Sequence, residues 1–169
     1  MSEEGPPSGG ATSACAVTGP RCYLASPLGF SEPGRAYYYD TLVPALSEVV
    51  EVVDPWAISG AQEFERAAAA GELGAFVLEV GRRNAEAIRS CSLLVACLDG
   101  SDVDSGTASE VGYASALGIR CHGFRTDLRE SGERGAIVNL QVQSFIVHSG
   151  GTVAPSLDRL LRDLAAARD

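Results

Sequence analysis

The stretch that decides the fold runs from residue 92 to residue 124 and has the sequence SLLVACLDGSDVDSGTASEVGYASALGIRCHGF. It begins with a continuous apolar run at 92–99, whose length is typical of a strand buried on both faces. Segment 106–118 is predicted to be a helix that ends at Gly118, and segment 119–124 is predicted to be the next strand. A strand, a helix and a second strand in this order form the repeating unit of a parallel sheet.

The flanking sequence continues this alternation in both directions. Further strands are predicted at 21–26, 49–56 and 144–149, and helices are predicted at 33–47, 61–70, 73–90 and after Pro155. A polar loop is expected at 125–135, followed by a short helix or turn at 136–142. This order predicts an α/β fold, a flavodoxin-like doubly wound sheet of five parallel strands with helices on both faces. We expect a disordered N-terminal tail at 1–20 and a single domain at 21–169.

Composition excludes several classes of function. The chain has 169 residues and a net charge of −9, and all 13 of its basic residues other than His are Arg. Without Lys there is no Walker phosphate lysine, no Schiff-base lysine and no attachment point for pyridoxal phosphate. A pI near 4.7 argues against a nucleic-acid binder, which needs a basic stripe.

The remaining composition indicates a cytoplasmic protein. The N-terminal segment is acidic and then rich in Gly, Ser and Pro, with neither the basic nor the apolar region of a signal peptide. No apolar run approaches the roughly 20 residues of a membrane helix, so we expect no membrane contact. The five cysteines form no C-x-x-C pair, which favours a reducing compartment and predicts no metal site.

Acidic residues cluster after the predicted strand 92–99. Ligands of doubly wound sheets bind at the carboxyl ends of strands, which here means the turns after Ala25, Asp54 and Leu98. In DGSDVDSGTASE (99–110), Ser105 is a natural N-cap, and Glu110 is expected in or just beyond the first helical turn. There the helix dipole favours the ionised form of Glu110, which makes it a plausible nucleophile.

A second carboxyl group, that of Asp104, is expected to hold its proton more tightly because neighbouring like charges oppose each other's ionisation. Two such carboxyl groups are the equipment for cleaving a glycosidic bond. On residue types alone, helix caps and solvated charge remain the simpler interpretation of these acids.

Other motif-based interpretations fail. Asp99 to Glu110 spans twelve residues like a calcium loop, but the sixth position is Asp104 where Gly is expected, and the fifth is Val103. The first strand is followed by SPLGF and not by a G-x-G-x-x-G dinucleotide motif. There is also no G-x-S-x-G element for a Ser–His–Asp hydrolase.

Six segments in register resemble one known family. They are YLASPLGFSEPG (23–34), VVDPW (52–56), NAEAIRSCSLLVACLDG (84–100), DSGTASEVGYASALG (104–118), FRTDLRESGE (124–133) and VNLQV (138–142). Together they look like the nucleoside 2-deoxyribosyltransferase family. The resemblance implies a doubly wound fold and the transfer of 2-deoxyribose between nucleobases through a covalent glycosyl-enzyme intermediate. It also implies that no metal or organic cofactor is used.

The resemblance assigns roles to individual residues. Glu110 matches the family's nucleophile, which attacks the anomeric carbon, and Asp104 matches the aspartate at the sugar and base. The first strand and its turn correspond to the nucleoside pocket, and with the turns after the next two strands they supply these candidates for substrate binding: Tyr23, Ala25, Ser26, Phe30, Asp54, Trp56 and Asp99. Asn139 and Gln141 match a segment that reaches into a neighbouring subunit's site, which implies a homo-oligomer, a dimer or a trimer of dimers.

Two positions depart from the family pattern. Many transferases have an aspartate that contacts the base where this chain has Asn84, and Gln141 replaces a methionine. An amide can donate to and accept from a base edge but cannot deliver a proton, so protonation of the leaving base is expected to fall to Asp104 or to water. Both departures bear on base preference.

Three functions remain open at this point. The first is transfer of deoxyribose between bases with retention, as part of nucleoside salvage. The second is an N-glycosidase acting on a nucleoside or a nucleoside 5′-monophosphate, although the first turn lacks the Gly-Ser-Ile-Arg pattern expected for a 5′-phosphate site. The third is a binding module with a degenerate site, against which the intact Asp104–Glu110 pair argues.

Overall fold

Five parallel strands form one sheet in the computed structural model, which describes residues 19–166. The strands are arranged in the order β2-β1-β3-β4-β5, which is the flavodoxin-like order. Their bounds are β1 Arg21–Ala25, β2 Glu51–Val53, β3 Leu93–Cys97, β4 Arg120–Phe124 and β5 Val153–Ala154. Apart from Gly19 and Pro20, the predicted N-terminal tail lies outside the described residues.

Helices connect successive strands. After β1 a 3₁₀ helix spans Pro27–Phe30, and α1 (Glu32–Tyr37), a π-helix (Tyr38–Leu42) and α2 (Val43–Ser47) follow without a break in helical backbone. The remaining helices are α3 Pro55–Ile58, α4 Ala61–Ala69, α5 Leu73–Arg89, α6 Ser105–Ala116, α7 Leu140–His148 and α8 Leu157–Ala166. Among the described residues, no helix has both the length and the apolar character needed to cross a membrane.

The two faces of the sheet carry separate halves of the core. Alternation along β1 points Tyr23 and Ala25 toward α5, α6 and α7, whose Ile88, Val111 and Ile146 pack on that face. Cys22 and Leu24 point to the opposite face, which is covered by the segment Glu32–Ser47 and by α8. The predicted α/β fold, a doubly wound sheet with helices on both faces, is confirmed.

The predicted strand at 144–149 is wrong, because these residues belong largely to α7. Asn139 caps this helix by accepting hydrogen bonds from the backbone N–H groups of Gln141 (3.0 Å) and Val142 (3.4 Å). Val142 and Ile146 then lie one turn apart on its buried face. The fifth strand is the two-residue edge segment β5, where Val153 pairs with Gly123 and Ala154 with Phe124.

The strand order reverses between β1 and β3, and this places the loops that follow them beside each other. The chain after β1 enters the 3₁₀ helix, whereas the chain after β3 forms the loop 98–104 and then α6 on the other face. Clefts at such a switch point are the usual ligand sites of open parallel sheets. The fold therefore positions the turn after Ala25 next to the acidic segment 99–110.

Candidate active site

A cavity of about 260 Å³ opens at the carboxyl ends of β1, β2 and β3. Its size approaches the lower end of small-ligand pockets, which begin at about 300 Å³. It is lined by Ser26, Phe30, Pro55, Trp56, Ser59, Phe64, Val80, Asn84, Asp104, Gly106, Thr107 and Glu110. Six of the twelve predicted site residues therefore lie on one cavity: Ser26, Phe30, Trp56, Asn84, Asp104 and Glu110.

Glu110 is held at the cavity wall by a buried tyrosine of the sheet. The hydroxyl group of Tyr23, on β1, donates a hydrogen bond of 2.6 Å to Glu110 Oε1. Tyr23 is fully buried, so its ring fixes the hydroxyl position, and the hydrogen bond fixes the carboxylate. Tyr23 thus contributes to the site through Glu110 and does not itself line the cavity.

The electrostatics of Glu110 differ from the prediction. Burial raises the pKa of Glu110 above its ordinary value, the Tyr23 hydrogen bond opposes this rise, and the nearby charge of Asp104 adds to it. Glu110 is the sixth residue of α6, beyond the first turn where the helix dipole acts most strongly. The net direction of the pKa is thus opposite to the one expected from the helix start, and the Tyr23 hydrogen bond is the contact that favours the ionised form.

Asp104, and not Ser105, is the N-cap of α6. Its Oδ2 accepts hydrogen bonds from the backbone N–H of Thr107 (2.9 Å) and from Thr107 Oγ1 (3.2 Å). Gly106 allows this closure, since a Cβ atom there would lie 3.1 Å from Asp104 Oδ2. Ser105 becomes the first helical residue instead. The cap holds the Asp104 carboxyl beside the cavity and close enough to Glu110 to influence its charge.

An aromatic wall closes another side of the cavity. Phe30 and Trp56 meet edge to face with ring centroids 4.7 Å apart, although Phe30 is 73% exposed. Gly29 makes the contact possible, because a Cβ atom at that position would lie 2.2 Å from Trp56 Cε2. Phe64 and Val80 also line the cavity, and together these four side chains form its apolar slot, against which a heteroaromatic ring can pack.

Asp54 supports this wall from behind and does not line the cavity. It caps α3 by accepting the backbone N–H of Trp56 at 2.9 Å. It also accepts the hydroxyl groups of Tyr38 (2.8 Å) and Tyr39 (3.3 Å). Burial raises the pKa of the Tyr38 hydroxyl, and the Asp54 charge adds to the rise. The structure thus places Asp54 as an anchor for Trp56.

Asp99 joins two loops outside the cavity. Its carboxylate accepts hydrogen bonds from Thr126 N (2.6 Å), Thr126 Oγ1 (2.7 Å) and Asp127 N (2.9 Å). The buried guanidinium group of Arg125 adds hydrogen bonds to the carbonyl oxygens of Leu98 and Gly100. These contacts fix the loop 98–104, which carries Asp104, against the loop that follows β4.

Three further predicted residues lie away from the cavity. Ala25 is fully buried at the end of β1. Asn139 and Gln141 lie at the start of α7, where Gln141 is exposed and Asn139 forms the cap described above. Within one copy of the chain, the structure does not bring them to the cavity.

Sequence reasoning missed six cavity residues: Pro55, Ser59, Phe64, Val80, Gly106 and Thr107. Val80 was detectable, because it lies one helical turn before Asn84 and therefore on the same face of α5. Ser59 and Phe64 carry no such signal, since they follow a four-residue helix whose existence the pattern did not show.

Three polar atoms on the cavity residues are buried without a hydrogen-bond partner among residues 19–166: Trp56 Nε1, Ser59 Oγ and Asn84 Oδ1. The same part of the chain holds no group of three or more His, Cys, Asp or Glu residues that could bind a metal ion. The site therefore offers a carboxylate beside a second carboxyl group and an apolar slot with a few polar atoms. Such an arrangement can attack an electrophilic carbon whose leaving group is a flat heterocycle.

Solved structures share the fold. A conserved protein from Enterococcus faecalis V583 superimposes with a TM-score of 0.63 at 23% sequence identity, covering 89% of this chain and 99% of that chain. A CMP N-glycosidase from Clostridium botulinum superimposes with a TM-score of 0.51 at 17% identity, covering 87% of this chain and 98% of that chain. No curated protein matches the chain.

The sequence resemblance is supported by a family model. The model of the nucleoside 2-deoxyribosyltransferase family matches residues 22–147, which include β1 except Arg21, all of β2 to β4, the cavity and α7 except His148. The matched range contains Tyr23, Asp104 and Glu110, whose geometry is described above. The chain belongs to the nucleoside 2-deoxyribosyltransferase family.

Proposed function

We propose that this protein transfers 2-deoxyribose between the nucleobases of deoxynucleosides, through a covalent intermediate on Glu110 and with retention of configuration. The observation that carries the proposal is the half-buried carboxylate of Glu110, which Tyr23 holds with a 2.6 Å hydrogen bond on the wall of a cavity that has aromatic side chains on another side. The family membership supports a nucleoside-handling enzyme. We expect the reaction to serve nucleoside salvage.

The proposed reaction has two displacements at the anomeric carbon. Glu110 attacks this carbon, the bond to the base nitrogen breaks, and the base leaves with the electron pair while Asp104 supplies a proton. An acceptor base then attacks from the side that the first base left, the bond to Glu110 breaks, and Asp104 takes up the acceptor's proton. Two inversions give net retention.

Tyr23 is suited to both steps of this scheme. The first step requires the carboxylate form of Glu110. The Tyr23 hydrogen bond favours this form, because it lowers the pKa of Glu110 and so opposes the rise that burial causes. In the second step the same hydrogen bond stabilises the departing carboxylate. The fully buried ring keeps this donor in place throughout.

The charge of the cavity favours an unphosphorylated substrate. Each described lining residue is neutral or acidic, and the two acidic residues are Asp104 and Glu110. A dianionic 5′-phosphate would be repelled there, whereas a neutral deoxynucleoside would not. This supports a nucleoside over a nucleotide as the donor.

Hydrolysis is the second candidate, and the fold shared with a CMP N-glycosidase favours considering it. Water would then replace the acceptor base in the second step. Incubation with deoxyinosine, with and without adenine, separates the two reactions. We expect deoxyadenosine to form when adenine is present. Release of free deoxyribose at the same rate with and without adenine would identify a hydrolase.

We also propose that the active unit is a homo-oligomer, a dimer or a trimer of dimers, in which Asn139 and Gln141 reach a neighbouring site. This rests on the family match of the segment around them and on the exposed apolar residues Ile137 and Leu140 beside them. Light scattering should give a multiple of 17.6 kDa. Asn139→Ala should raise KM or lower kcat, and a fully active monomer would contradict the assembly.

Asp104 is proposed as the acid that protonates the leaving base, since Asn84 cannot deliver a proton. A well-placed general acid contributes about 10²–10⁴-fold to the rate. Asp104→Asn should lose a comparable factor, measured as kcat on a purine and a pyrimidine deoxynucleoside. An Asp104→Asn enzyme with near wild-type kcat would show that solvent supplies the proton instead.

A further inference from the structure

A histidine that the proposed reaction does not use is buried in the sheet. His122, on β4, is only 3% exposed. It lies two residues before Phe124 and therefore on the same face of the sheet, which α8 covers with Leu160 and Leu164. The chain has one other histidine, His148, which is exposed at the end of α7. The ring of His122 thus lies on the face opposite to α5 and α6.

Hydrogen bonds connect His122 to α8 through the residue before β5. The hydroxyl group of Thr152 donates to Asp163 Oδ2 at 2.6 Å, and Thr152 Oγ1 lies 3.3 Å from His122 Nδ1. Because Asp163 accepts the only hydroxyl proton, Thr152 can only accept from the imidazole, so Nδ1 carries the ring proton. Within residues 19–166, the bond to Thr152 is the one hydrogen bond that a side chain of α8 forms outside its own helix.

Protonation of the ring would create a buried donor with no acceptor. The second ring nitrogen of His122, Nε2, is buried and has no hydrogen-bond partner in the part of the chain that the structure describes. In the neutral ring this atom carries only a lone pair, whereas in the imidazolium it carries a proton and shares the positive charge. The two ring nitrogens point in different directions, so Thr152 cannot accept the new proton. Burying a charged group with an unpaired N–H is costly.

The surrounding charges do not remove this cost. The charged or titratable groups that share this face with His122 are Asp163 and Arg159 on α8, Arg120 on β4 and Cys97 on β3. Burial lowers the pKa of His122, the charge of Asp163 opposes this fall, and Arg120 adds to it. Burial raises the pKa of the Cys97 thiol to about 11, so this group stays neutral. The neutral imidazole is therefore the form that fits the docked helix.

Asp163 keeps its charge while His122 titrates. Burial opposes its ionisation, but hydrogen bonds from Thr152 and Arg159 hold its pKa below its ordinary value. The acid response of this face therefore depends on His122.

We propose that the chain His122–Thr152–Asp163 makes the docking of α8 acid-sensitive, so that protonation of His122 at Nε2 favours a state in which α8 and β5 leave the sheet while the rest of the domain stays folded. β5 leaves with α8 because it has only two residues and directly follows Thr152. In the released state the imidazole is in water and takes up its proton near pH 6.5. The docked ring takes it up only at lower pH, so docking is most stable above about pH 6.5 and loses stability as the pH falls.

Amide hydrogen exchange of the full chain at pH 7.5 and pH 5.5 tests the proposal. Protection factors divide out the pH dependence of the exchange chemistry and give the equilibrium constant for opening. We expect the opening constant at Leu160 and Leu164 to rise by about 5- to 10-fold between these pH values, the factor for one proton taken up at 6.5. The amides of Leu94 and Val95 on β3 should keep their protection. Equal protection of α8 at both pH values, or an equal loss on β3, would overturn the proposal.

Two variants assign the effect to one histidine. Asparagine carries an N–H group near the position of Nδ1 and does not titrate, so His122→Asn should remove the pH dependence of the opening constant. His148→Gln removes the exposed histidine and should keep the wild-type change. Retention of the full pH dependence in His122→Asn, or its loss in His148→Gln, would contradict the role of His122.

NMR of the wild-type ring gives a second test that needs no substitution in the core. The nitrogen chemical shifts of His122 should show the Nδ1–H form at pH 7.5, and the ring should become protonated over the pH range in which α8 opens. A ring that stays neutral while α8 opens, or one that is protonated at pH 5.5 while α8 keeps its protection, would overturn the proposal.

Discussion

Removal of one hydroxyl group, in the variant Tyr23→Phe, should move the pH dependence of the reaction. Tyr23 donates a 2.6 Å hydrogen bond to Glu110, and this bond lowers a pKa that burial raises. Without the donor, the ionised carboxylate loses its partner while the burial remains. The pKa of Glu110 must therefore rise further, and the acid limb of kcat/KM must move to higher pH.

The size of the shift follows from the strength of the bond. A hydrogen bond to a charged group contributes about 1.5–3 kcal/mol. Since about 1.4 kcal/mol corresponds to one pH unit, the acid limb should move up by roughly one to two pH units. The assay is a pH–rate profile of kcat/KM on deoxyinosine with adenine as acceptor.

Tyr38→Phe is the matched control. Tyr38 is also fully buried and donates a 2.8 Å hydrogen bond to a carboxylate, but its partner is Asp54. This variant should lose a similar amount of stability and keep the wild-type acid limb. An acid limb that stays in place in Tyr23→Phe, or that moves equally in both variants, would refute the assignment of this limb to Glu110.

Three further predictions concern the stability of the fold and the contacts that hold Trp56 and the loop 98–104 in place. Because burial raises the pKa of Glu110 above the 4.5 of the unfolded chain, wild-type stability should fall as pH rises from 4.5 through the folded pKa. Urea denaturation should therefore show Glu110→Gln more stable than wild type at pH 7, with this advantage lost below pH 4.5. Gly29→Ala places a Cβ atom 2.2 Å from Trp56 and should lose about 1–3 kcal/mol of unfolding free energy and raise KM, whereas Gly60→Ala, with nothing within 4 Å of its Cβ, should do neither. Asp99→Ala should lower kcat more than it changes KM and speed amide exchange in the loop after β4; unchanged exchange there would contradict the loop-joining role.

The sheet was predictable because its middle strand, β3, is a continuous apolar run. All five residues of β3 are buried, so its sequence shows directly that both faces are covered. β5 has only two residues, which is too few to show any periodicity. The fifth strand was predicted at 144–149 instead, because an apolar run as short as 145–147 fits a strand and a buried helix face equally well. Asn139, a strong N-cap residue, was the signal that favoured the helix.

The sequence predicted half of the residues that line the cavity, but not the hydrogen bond that holds Glu110. Glu110 and Asp104 stood out by their type and position after β3, and the family resemblance gave them their roles. Tyr23 and Glu110 are 87 positions apart, and only the fold brings their side chains together. Asp104 and Ser105 are comparable cap residues, so the sequence could not choose between them. The unpaired atoms of Trp56 and Ser59 arise from packing, which no spacing rule reports.

Trapping the covalent intermediate tests the central claim, that Glu110 is the nucleophile. A deoxynucleoside with fluorine at C2′ slows the second step, so the glycosyl-enzyme should accumulate on incubation without an acceptor base. Trypsin cleaves this lysine-free chain only after Arg, which releases residues 90–120 as one peptide. Fragmentation of this peptide should place the fluorosugar on Glu110, and the Glu110→Ala variant should carry no label. A label on Asp104 or on another peptide, or turnover in Glu110→Ala, would contradict the account.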